Sequence, residues 1–89
     1  MLERDIVVSN RLGLHARASA KLVQLVSSFK STVWIISKGR DVNAQSIMGV
    51  MMLAAGMGTS LTVRAEGEDE GAALAAVVEL FDRKFDEGA

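Results

Sequence analysis

Apolar and polar positions along the chain switch between two periods, and the switches mark the elements. "LERDIVV" has strand-like spacing, with Leu2, Ile6 and Val8 on one face. "SNRLG" interrupts it with turn residues. From Ala16 to Phe29 the period becomes helical: Ala18, Leu22, Leu25, Val26 and Phe29 form an apolar stripe opposite Arg17, Lys21, Gln24 and Ser28. "STVWIIS" is rich in β-branched and aromatic residues and predicts a strand. Gly39 in "SKGR" suits a hairpin turn, and "RDVNA" supplies a short antiparallel partner.

Further along, "SIMGVMMLAAGMG" predicts a short helix with Ser46 as N-cap and the Gly56/Gly58 pair at its end. Gly49 inside it lowers helix propensity by ~1 kcal/mol relative to alanine. "TSLTVRAEG" alternates, with Leu61, Val63 and Ala65 inward and Thr62, Arg64 and Glu66 outward. A last helix runs from Glu70 to Phe85, its stripe made of Leu74, Val77, Val78, Phe81 and Phe85. Glu68, Asp69 and Glu70 form a solvated acidic turn at its positive end. Trp34, Phe29, Phe81 and Phe85 read as packing residues. The order β-α-β-β-α-β-α predicts an α+β fold, a four-stranded mostly antiparallel sheet with three helices packed on one face.

Composition narrows the class. The 89 residues suit one domain, 1–89, with a modest core. The absence of cysteine excludes disulfides, thiolate metal sites and cysteine nucleophiles, and agrees with a cytoplasmic location. The N-terminus carries Glu3, Arg4 and Asp5 with no apolar stretch of signal-peptide length. No segment reaches the roughly 18 apolar residues of a membrane span, so membrane insertion is not expected. The net charge of -1, with no paired exposed aromatics on the strands, weighs against nucleic acid. The charge is uneven, however: residues 1–46 hold seven Lys/Arg and three Asp/Glu, and residues 47–89 hold three and eight. The first half therefore suits phosphate or an acidic partner.

The sole histidine, His15, lies in that basic half, within "LGLHARASAKL". Gly13 lets the chain turn tightly into the helix, and His15 falls at or beside the N-cap, where backbone N–H groups lack helical acceptors. Arg17 is one step into the first turn. Unpaired donors, the helix dipole and a guanidinium make an anion site, and a neutral imidazole at its rim can attack phosphorus. One histidine without cysteine is a poor metal ligand set, and no nucleotide-binding or nucleophile-elbow pattern is present. No cofactor is called for, and the phosphoryl group is expected from another protein.

"GLHARASAKLV", "NAQSIM" and "TVRAEGEDE" together resemble the histidine-containing phosphocarrier (HPr) family of the bacterial phosphoenolpyruvate phosphotransferase system, across essentially the whole chain. The resemblance implies an open-faced sandwich. It also implies that His15 takes a phosphoryl group on Nδ1 from phospho-enzyme I and passes it to IIA domains, with Arg17 and the N–H groups of Ala16 and Arg17 holding the phosphate. The chain reads H-A-R-A-S where the sugar-pathway pattern is H-T-R-P-A, which is closer to proteobacterial and nitrogen-branch versions. Ala18 in place of proline restores one N–H to the anion site. Ser46 matches the serine that an HPr kinase/phosphorylase modifies in some members. By position, Ala16, Arg17, Ala20, Ile47, Met48 and Met51 would form the docking surface of a monomeric shuttle. A regulatory module of a nitrogen or other branch, acting mainly by contact, is the alternative.

Overall fold

A computed structural model describes residues 1–87. Its elements are β1 (Leu2–Val7), α1 (Ala16–Ser27), β2 (Thr32–Ser37), β3 (Arg40–Asn43), α2 (Ile47–Met52), β4 (Ser60–Glu66) and α3 (Glu70–Asp82), followed by a short 3-10 turn, Lys84–Asp86. The strands form one antiparallel sheet in the order β1-β4-β2-β3, with the helices layered on one face as an open-faced sandwich. Among the described residues no helix is long and apolar enough to cross a membrane.

The alternation of the central strands decides the core. Val33 and Ile35 of β2 and Leu61, Val63 and Ala65 of β4 are buried under the helices. They meet Ala18, Leu22 and Val26 of α1, Val50 of α2, and Ala73, Val77, Leu80 and Phe81 of α3. Burying a side chain of this size contributes about 1.5–3 kcal/mol, so the sheet and all three helices are held by the same cluster. The hairpin after β2 turns through Lys38 and Gly39, both at positive φ.

Several boundaries differ from the periodicity. Helix α1 ends at Ser27, with Ser28 as its cap, and Phe29 packs half-buried beyond the end. Helix α2 stops at Met52, well before Gly56, and the chain leaves it through Ala54 in the left-handed region at φ 51. Helix α3 stops at Asp82. Lys84, Phe85 and Asp86 then take φ 56, 54 and 61, conformations that L residues adopt at a cost. The compensation is visible in Phe85, whose ring is fully buried and meets Phe81 edge-to-face at 4.8 Å.

Two side chains also depart from expectation. Leu2 is exposed at the sheet edge. Trp34 stands between the inward Val33 and Ile35, so it is half-buried on the helix-free face, in register with Arg64 and Asn43. Gly49 has a packing reason: a Cβ there would lie 2.7 Å from Val42 Cγ1, so glycine lets α2 settle onto β3.

Candidate functional site: the head of the first helix

The loop that delivers His15 is fixed on both sides. Gly13 has φ +64, and a Cβ on it would lie 2.3 Å from the Ala55 carbonyl oxygen. Only glycine lets this loop press against the segment after α2. Leu14, buried, donates its N–H to that same carbonyl at 2.9 Å. Its own carbonyl accepts from the hydroxyl of Ser19, a buried residue, at 3.2 Å. Asn10, fully buried, donates from Nδ2 to the Gly13 carbonyl at 2.8 Å.

His15 is the N-cap of α1 and makes no side-chain cap bond. The first helical backbone bond runs from the Ser19 N–H to the His15 carbonyl, 2.9 Å. The N–H groups of Ala16, Arg17 and Ala18 thus precede the helical ladder at the positive end of the dipole. No acidic residue occupies the first turn of α1. The imidazole is about a quarter exposed, at 27%, and lines an open depression with Leu12, Arg17, Lys21 and Glu87. Arg17 is exposed on the first turn. Arg11, Arg17 and Lys21 border this depression against the carboxylates of Asp86 and Glu87, and the remaining excess of positive charge suits an anion.

Glu87 is the residue that sequence reasoning missed. Its Oε2 meets His15 Nε2, and its Oε1 accepts from Asn10 Nδ2 at 3.2 Å. Burial favours the neutral acid of Glu87, but hydrogen bonds from His15 and Asn10 and the nearby Lys21 ammonium outweigh it and hold its pKa below the ordinary value. The turn carrying Glu87 is tied to α1 by Lys21 Nζ, which donates to the Phe85 carbonyl at 2.7 Å. Nothing local in "KFDEGA" signals this contact, because its partner lies 72 positions away. Among the described residues no three His, Asp or Glu side chains converge as a metal-binding group.

Ser46 caps α2, its hydroxyl accepting from the Gly49 N–H at 3.0 Å. It is exposed, and α2 packs beside α1. Of the apolar residues expected to dock partners, Ile47 and Met48 are exposed, Met51 and Ala20 are half-buried, and Ala16 is exposed. Met52 is exposed as well, and Leu12 presents a large exposed side chain that the sequence pattern did not single out.

The family model for the "PTS HPr component phosphorylation site" matches residues 2–83. The chain belongs to the HPr family of phosphocarrier proteins, components of the phosphotransferase system. It is 58% identical over 87 residues to a phosphocarrier protein HPr of Xylella fastidiosa, covering 98% of each chain. It is also 43% identical to a phosphocarrier protein NPr of Shewanella violacea, over 99% of this chain and 97% of that one. The fold superposes on a crystal structure of HPr from Thermoanaerobacter tengcongensis with a TM-score of 0.94 at 44% identity, covering 98% of both chains. The family model itself ends at residue 83, four positions before Glu87, whereas the relatives align over 98–99% of the chain.

Proposed function

We propose that residues 1–89 act as one phosphocarrier domain whose His15 receives a phosphoryl group from phospho-enzyme I and yields it to IIA domains. The observation that carries this reading is the partly exposed imidazole at the head of α1, beside three N–H groups ahead of the helical ladder and the Arg17 guanidinium. In the forward step the Nδ1 lone pair bonds to phosphorus as the bond from phosphorus to the donor breaks. The N–H groups of Ala16, Arg17 and Ala18 and the guanidinium face the charge on the phosphoryl oxygens. The carrier supplies in-line presentation and charge, which suits a small domain whose site is an open depression.

Docking falls to Ala16, Arg17, Ala20, Ile47, Met48 and Met51, where apolar contact ringed by charge supports brief encounters with successive partners. A cytoplasmic monomer is the form that suits such a shuttle. Ser46, exposed at the start of α2, is the proposed target of an HPr kinase/phosphorylase. Its modification would add about -1.5 to -2 charges close to the basic docking face. The NPr relative favours one alternative, service in a nitrogen or other regulatory branch.

Incubation with enzyme I and phosphoenolpyruvate tests the reading. One acid-labile, alkali-stable phosphate is expected on the protein and none on His15→Ala. Label retained by that variant overturns the assignment.

A further inference from the structure

We propose that Glu87 is a positioning residue for phosphoryl transfer: delivered by the C-terminal turn, its carboxylate accepts the Nε2–H of His15 and keeps the Nδ1 lone pair free. The inference rests on the reading of His15 as the phosphoryl acceptor, and it adds a group that lies past the last residue of the family model.

The carboxylate is built in on both oxygens. Oε2 faces His15 Nε2 and Oε1 takes the amide of Asn10, a fully buried residue that also braces the Gly13 carbonyl. The Glu87 side chain is only 16% exposed. The turn before it is anchored by the buried Phe85 ring and by Lys21 on the Phe85 carbonyl. The three left-handed residues are what carry the chain from the end of α3 back to the head of α1. A carboxylate in such a place acts on an imidazole in two ways. It disfavours the tautomer that would set the Nε2 lone pair against a negative charge, so the proton stays on Nε2 and Nδ1 is the nucleophile. It also stabilises the positive charge that the ring gains when Nδ1 bonds to phosphorus, as an aspartate does for histidine in hydrolytic triads. In the reverse step the Nε2–H stays in place, and the N–P electron pair returns to Nδ1. The ring then leaves as neutral imidazole and not as an imidazolate. No proton has to enter or leave in either direction.

The test uses the full chain with 15N-labelled histidine, as wild type, Glu87→Gln and Glu87→Ala. Nitrogen chemical shifts of the unphosphorylated protein read the tautomer directly. Wild type is expected to hold the Nε2–H form, and Glu87→Ala to give a mixture, while the amide spectrum of the core is unchanged. Transfer from phospho-enzyme I is expected to slow about tenfold in kcat with KM little altered, the low end of the loss seen when a metal-bound histidine loses its hydrogen-bonded carboxylate. Glu87→Gln, which keeps an acceptor oxygen without the charge, is expected to retain the tautomer and recover part of the rate. A wild-type tautomer ratio and an unchanged kcat in Glu87→Ala overturn the proposal. Failure of the wild-type protein to take up phosphate would instead strike the His15 reading, and the nitrogen shifts would still judge the role of Glu87.

Discussion

Gly13 is the single residue on which the site's placement depends most directly. Its positive φ and the 2.3 Å approach that a Cβ would make to the Ala55 carbonyl leave no room for a side chain. Gly13→Ala is expected to destabilise the fold by about 2 kcal/mol, because both the backbone conformation and the loop contact must give. A change of that size lowers Tm by ~8–16 °C in a domain this small, which thermal unfolding followed by circular dichroism will measure. The sequence pointed to this glycine as a turn into the helix. That the turn is braced by the segment after α2 depends on a contact about forty positions away, beyond the reach of any local pattern. Gly49 teaches the same point: read along the chain it weakens a helix, and read in space it admits Val42.

At the scale of elements, the acidic turn before α3 is a clasp. The Asp69 carboxylate accepts from the N–H groups of Lys30 and Ser31 at 3.0 and 2.8 Å, and from the Ser31 hydroxyl. It thereby ties the start of α3 to the loop joining α1 to β2, where solvation alone was expected. The Ser31 hydroxyl and the Lys30 N–H hold its pKa below the ordinary aspartate value, against the opposing effect of burial. A depressed folded value means that the carboxylate's contribution is complete above the ordinary pKa and disappears as pH falls through the folded one. Asp69→Asn is therefore expected to lower Tm at neutral pH, and the gap to wild type should close as pH drops through the acid range. A gap that persists unchanged at low pH would remove charge from the explanation. Helix types and strand faces were legible from periodicity, because burial imposes it. The ends of α2 and α3 were not: positive-φ Ala54 follows α2 well before the expected Gly56/Gly58 pair, and Lys84, Phe85 and Asp86 turn left-handed where the last helix was expected to continue to Phe85.

Across the whole molecule, the excess of basic residues lies in the first half of the chain, and Arg11, Arg17 and Lys21 gather around the depression that His15 lines. Exposed Leu12, Ile47, Met48 and Met52 supply apolar surface on the segments flanking α1 and on α2. A small interface of this kind gains on-rate and selectivity from charge more than affinity. Ser46→Asp, which places a negative charge beside this basic surface, is expected to weaken binding to enzyme I severalfold. The difference should shrink between low and high salt, because exposed charges are screened over about 10 Å at 0.1 M. Titration calorimetry at two salt concentrations checks it, and equal binding by wild type and variant would remove the electrostatic argument.

The order of elements, the inward strand faces, the N-cap role of Ser46 and the helix-head position of His15 were all fixed by the chain's own periodicity and local chemistry. These features depend on neighbours within a turn or on alternation within a strand, so they are written locally. The partner of the imidazole was decided only by folding. Phe85 had to find the core and bend the chain through left-handed backbone before Glu87 could reach His15. A contact between ends of the chain depends on where every intervening element packs, and no spacing rule encodes that.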